Sequence, residues 1–221
     1  MKYYKFITKN NLGPYSNFDY TEYLPKGKRK GKWLPAIEDE LETCKIGYHA
    51  CKPDQLLEWC NAKLYEVEYK DEPVEDSEDS DKVNGNQIRF VKQIKTWNEK
   101  SARLFAVWCA REALKLIDEP DPRSVDACDV AERYANGKAT DDELYAARAA
   151  AMYAAWGVAG AAARDAARYV AWDAAYSAAL DAARYVAWAM YAAMYAAWGV
   201  AWAAARDAQY KKLHEMLEIE Q

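Results

Sequence analysis

The chain is predicted to fold as α+β, with a small β-containing N-terminal module followed by a larger all-α region. Three observations lead there. Two segments, Lys63–Tyr69 (KLYEVEY) and residues 87–94 (QIRFVKQI), alternate apolar and polar residues as half-buried strands do. The stretch from Thr96 to Gly137 carries helix start and stop signals. From Ala146 to Ala208, 31 of 63 residues are Ala, close to the maximum of helix propensity.

In chain order, residues 3–8 (YYKFIT) read as a strand and residues 10–14 (NNLGP) as a turn. Residues 25–32 (PKGKRKGK) form a Gly-punctuated basic loop. Pro53 at a first-turn position opens a short helix to Asn61. Between the two strands, residues 71–81 carry seven acids in eleven positions and read as a solvated loop. Thr96 with Glu99 reads as a capping box for the first long helix. Asp121 as N-cap and Pro122 at N1 open the second, which Asn136-Gly137 closes. Thr140 with Glu143 opens the alanine-rich region. The expected division is 1–95 for the mixed module and 96–221 for the helical domain, with repeats over 140–210.

The repeats are specific. DAARYVAW occurs at 165–172 and 181–188, and residues 150–166 recur at 192–208 with one change, Gly160 against Trp202. A large side chain every four residues drifts by about 40° per step on a helix of 3.6 residues per turn. One straight helix would spread that stripe around its circumference, so a bundle of antiparallel helices or a short solenoid is expected, with breaks near Gly157–Gly160 and Gly199.

Bulk properties exclude some functions. A net charge of -5 argues against a nucleic-acid-coating protein. Nine Trp and seventeen Tyr stand against four Phe, which favours aromatic rings with a polar handle. The sequence MKYYKFITKN has no apolar signal region, so a cytoplasmic location is expected. Tyr185 to Ala205 is long enough to span a membrane, but it is mostly Ala with scattered Trp and Tyr, and no span is expected.

Four constellations bear on chemistry. Cys44, His49, Cys51 and Cys60 have loose zinc-like spacing, and the expectation is buried thiols and no metal. His49 with Cys51 as a base–thiolate pair lacks an orienting third group. The basic loop, with Lys28, Arg29 and Lys30, offers phosphate contact or a partner for the acidic loop; with Tyr48 and His49 it forms a secondary candidate site. The primary candidate is the repeat set of Arg148, Arg164, Arg168, Arg184 and Arg206 among Trp156, Trp172, Trp188, Trp198 and Trp202. Arg supplies a fork for phosphate or carboxylate, and Trp a stacking face. The same residues also read as ordinary packing and surface ion pairs such as Asp165–Arg168. No catalytic residue and no cofactor is assigned, an oligomer is left open, and the ligand is expected to be an anionic nucleotide-like molecule or a protein.

The motif CKIGYHAC (44–51), with KFIT, GKWLP, LYEVEY and QIRFVKQI around it, resembles an N-terminal domain of phage and prophage proteins. That family carries a C-x-x-G-[FY]-H-x-C core, a short helix and a strand of the eVe type. From ARLFAVWCAREAL onward, the chain resembles bacterial proteins described as immunity proteins, which end in Ala/Trp/Arg-rich helical repeats. The order of strand, GYHAC, helix and strand also resembles a degenerate ADP-ribosyltransferase-like module, without a catalytic Arg or Glu motif. The phage-type domain together with the Arg/Trp-rich repeats points to a non-enzymatic binding protein in phage–host conflict, one that inhibits a host defence component by sequestering an anionic nucleotide-derived signal or by capping a protein partner. The alternatives are an immunity or antitoxin-like protein with a protein partner, or an enzyme acting through the His49/Cys51 region.

Overall fold

The computed structural model describes residues 1–42, 44–75, 81–115, 119–157 and 200–219; for 152–157 and 200–205 it describes the backbone alone. The fold is α+β, with the strands gathered towards the N-terminus. Two compact units are present. Met1–Trp97 with Leu217–Gln221 form one, and Asn98–Met216 the other.

The first unit holds five strands: β1 (Tyr3–Ile7), β2 (Tyr48–Ala50), β3 (Lys63–Tyr69), β4 (Val83–Gly85) and β5 (Ile88–Gln93). β1, β3 and β5 form an antiparallel sheet in that order, with a bulge at Glu66/Val67. The alternation read from KLYEVEY turns Tyr65 and Val67 into the core beside Phe90 and Ile88. Two rings, Tyr20 and Tyr65, meet Phe90 edge-on at 5.2 and 5.3 Å, a favoured arrangement of ring quadrupoles. β2 and β4 pair separately, setting His49 opposite Asn84. Backbone bonds of 2.8 and 2.7 Å between Tyr4 and Cys51 tie this ribbon to β1. Tyr69 holds it from the side, its hydroxyl donating to the Tyr48 carbonyl at 2.8 Å. Neither short strand shows in the sequence, because three residues leave no room for alternation. The segment Pro53–Trp59 is a 3₁₀ helix.

The second unit contains α1 (Glu99–Leu114), α2 (Pro122–Ala135), α3 (Asp141–Gly157) and most of α4 (Val200–Leu217). Asn98, not Thr96, caps α1: it exchanges bonds with Ser101, its side chain accepting from the Ser101 N–H at 3.1 Å. The Thr96 hydroxyl instead donates to the Leu217 carbonyl, 3.0 Å away, inside the first unit. Asp121 accepts from the Arg123 N–H at 2.9 Å, Gly137 takes φ +68, and Thr140 and Glu143 exchange bonds at 2.8 and 3.2 Å, as their punctuation requires. Ala110, Ala113, Ala127, Ala131, Ala147 and Ala151 line the shared core of α1, α2 and α3. Small faces let helix axes approach closely. No helix among the described residues is long and apolar enough to cross a membrane.

Candidate functional site

A cleft of about 690 Å³ opens in the first unit. Five separate stretches build it. β1 contributes Lys5. Between β1 and Tyr20 the chain makes a double turn, with Asn11 and Asn17 in the left-handed region (φ 66 and 54), and this presents Tyr15. The segment Cys44–Cys51 forms one wall. Trp59, at the end of the 3₁₀ helix, and Lys82, before β4, close the other.

The CKIGYHAC motif shapes its wall residue by residue. Gly47 has φ +134, and a Cβ there would lie 1.8 Å from Asn84 Oδ1. Only glycine fits such a backbone and such an approach. The Asn84 amide, 2% exposed, donates to the Ile46 carbonyl at 2.9 Å. The Tyr48 hydroxyl donates to the Pro35 carbonyl at 2.9 Å, so this residue buttresses the wall from outside the cleft. His49 lines the cleft and accepts the Cys44 N–H at Nε2, 3.1 Å away. An accepting Nε2 carries no proton, which leaves the Nδ1–H tautomer. Cys51 is buried and bridged to Tyr4, and burial pushes its thiol well above the usual range. A thiol held neutral is a poor nucleophile, so His49 and Cys51 form no base–thiolate pair. Among the described residues no group of three His, Cys, Asp or Glu is placed to hold a metal.

The two inner lysines differ. Lys82 lies 4.6 Å over the Trp59 ring and donates to Asp81 at 2.8 Å. Against the cost of burial, its hydrogen bonds to Asp81 and the Cys44 thiol hold it above the usual lysine value. Lys5 donates to the His49 carbonyl at 2.5 Å, with its amine 5.4 Å from the Tyr20 ring centroid. Burial lowers it to about 8. Tyr15, 81% exposed, stands edge-on to Trp59 at 5.6 Å, and the Trp59 indole is fixed by donating to the Asp81 carbonyl at 2.7 Å. The result is a pocket lined by two lysines and two aromatic rings.

Of the secondary candidates, only His49 reaches this cleft. The basic loop turns tightly, Lys26 and Arg29 exchanging backbone bonds at 3.1 Å. Lys28 is exposed on that turn, and Lys30 pairs with Glu68 at 2.6 Å. Arg89 joins the same carboxylate, and together the two cations outweigh desolvation to hold Glu68 low. Glu68 lies on β3, whereas the acidic loop meets Lys52 through Glu75. In the repeat set, Arg148 is half-buried on α3, and Arg206 on α4 lies 5.6 Å from the Tyr210 ring centroid. Trp156 and Trp202 lie in helices whose side chains there are outside the described residues, as are Arg164, Arg168, Arg184, Trp172, Trp188 and Trp198 altogether. Sequence reasoning passed over Lys5, Tyr15, Trp59 and Lys82. Lys5 alone carried a signal, as a cation in the middle of an otherwise apolar strand.

No protein-family model, curated protein or solved structure matches the chain.

Proposed function

We propose that the chain is a binding protein for an anionic, nucleotide-derived small molecule, held in the cleft of the first unit. The observation that carries this reading is the convergence of Lys5, Lys82 and His49 with the Tyr15 and Trp59 rings in one cavity. The protein as a whole carries a net charge of -5, so a cationic cleft is a local departure from its acidic surface. Its volume suits a small-molecule ligand. Lys82 stays charged and offers a point charge for phosphate. Tyr15, largely exposed, offers a face for a base.

The resemblance of CKIGYHAC to the phage and prophage domain supports a setting in phage–host conflict. Withholding a signal nucleotide would inhibit the host defence component that responds to it. Isothermal titration of the full chain against cyclic nucleotides and ADP-ribose is the test. Binding is expected, with Tyr15→Ala about tenfold weaker because stacking is worth ~1–3 kcal/mol per base. Lys82→Met should weaken it further. Silence across the panel would remove the reading.

A further inference from the structure

We propose that Lys5 is a carbonyl-capturing amine, and that the ligand of this cleft carries an aldehyde or ketone beside its anionic group. The inference rests on the reading of the cleft as an anionic-ligand site and names the chemistry of its occupant. Lys5 lies on the cleft wall, where its Nζ donates to the His49 carbonyl at 2.5 Å. A neutral amine that donates one N–H to a carbonyl still has its lone pair free. Among the described residues no carboxylate pairs with Lys5. Its other neighbours include the Tyr20 ring and the buried Cys51 thiol, so little holds the proton on.

Lys82, in the same cavity, has the opposite setting, with Asp81 and Cys44 stabilising its charge. Two like groups driven apart by their surroundings divide the labour. Lys82 holds the anion, and Lys5, lowered to about 8, supplies the nucleophile. In the step itself, the Lys5 lone pair attacks the carbonyl carbon and the C–N bond forms. A proton passes from nitrogen to the former carbonyl oxygen, giving a carbinolamine. Loss of that oxygen as water leaves a C=N imine. Nothing is oxidised or reduced, and no further reactant is needed.

The test uses the full chain at pH 7 with substoichiometric pyridoxal 5′-phosphate, an aromatic aldehyde carrying phosphate. Cyanoborohydride reduces each imine to a stable secondary amine, and peptide mapping over time assigns each adduct. Fragmentation separates Lys5 from Lys2 and from the α-amine of Met1. At pH 7 a lysine near 8 has about 300 times the neutral fraction of an ordinary one, which its lower basicity reduces to a net rate advantage of about tenfold. Lys5 is therefore expected to label about tenfold faster than the exposed Lys28 and Lys100. Inorganic phosphate and Lys82→Met should each slow Lys5 several-fold and leave Lys28 unchanged. Labelling of Lys5 no faster than Lys28 would overturn the inference. Titration with ADP, which has no carbonyl, reads the nucleotide proposal separately: no ADP binding alongside fast Lys5 labelling would remove the nucleotide and keep the imine.

Discussion

Gly47→Ala is expected to be among the costliest small substitutions in the first unit. The change adds one methyl group at φ +134, a conformation that side chains with a Cβ rarely adopt. That backbone strain costs ~1–3 kcal/mol. The new Cβ would also lie 1.8 Å from Asn84 Oδ1, so the Asn84 side chain must leave. Asn84 is 2% exposed and bonded to the Ile46 carbonyl at 2.9 Å, so displacing it orphans a buried amide. An unsatisfied buried group costs ~1–3 kcal/mol. The sum is about 2–6 kcal/mol, and for a unit of this size each kcal/mol lowers the melting midpoint by roughly 4–8 °C. Scanning calorimetry of Gly47→Ala, Asn84→Ala and the double variant measures it. The double variant should cost less than the two singles together, because Asn84→Ala removes the collision and leaves only the strain. A Gly47→Ala protein within about 0.5 kcal/mol of wild type, the ordinary range for an innocuous substitution, would refute this account of the motif.

Three further outcomes are expected. Arg103→Ala should cost about 2–4 kcal/mol, since the residue is 2% exposed with its guanidinium 4.7 Å from the Tyr134 ring, while Glu99→Ala, from a partner side chain 73% exposed, should cost under ~1; equal costs in urea titrations would show that the ion pair dominates. Iodoacetamide should modify one of the five thiols of the native protein, Cys44, and reach Cys51, Cys60, Cys109 and Cys128 only on unfolding; mass spectrometry reading a second fast thiol would contradict the packing. Between about pH 8 and the ordinary lysine value near 10.4, the unfolded chain binds the Lys5 proton and the folded chain does not, so the Lys5 contribution to stability rises with pH in that window and is constant below it; the difference between wild type and Lys5→Met in urea midpoints should track this, and a flat difference would refute the lowered value.

What could be read from the sequence was what the chain decides locally. Asp121 finds its partner two residues on, and Thr140 three residues on, so their caps are visible as spacings. β3 and β5 are visible because each is long enough to alternate. Thr96 with Glu99 has the spacing of a cap as well, but the Thr96 hydroxyl is committed to Leu217, 121 residues away. Asn98, with Ser101 three positions on, takes the role. β2 and β4 exist only through one another and through the Tyr4–Cys51 bridge, a pairing that leaves no local periodicity. CKIGYHAC was legible as a pattern but not as a device. Gly47 is needed because of Asn84, and His49 is spent on the backbone of Cys44, relations that no spacing within the motif encodes.

The cleft was hidden for the same reason, since positions 5, 15, 49, 59 and 82 come together only in three dimensions. One of them nevertheless broke a local rule. In β1 the alternation places Tyr3, Lys5 and Ile7 on one face, and Ile7 is fully buried in the core. A lysine midway along that face is a conflict between the strand pattern and the chemistry of the side chain. Several other lysines of the first unit meet a carboxylate: Lys30 with Glu68, Lys45 with Glu42, Lys92 with Glu66 and Lys52 with Glu75. Lys5 receives a carbonyl and an aromatic ring instead. Desolvation without a counter-charge destabilises the charged form, and a fold keeps such a residue at a cost that methionine or leucine would avoid. The cost is offset if the amine is used. That makes Lys5, rather than the more numerous and more conspicuous arginines of the repeats, the described residue whose chemistry most needs a functional explanation.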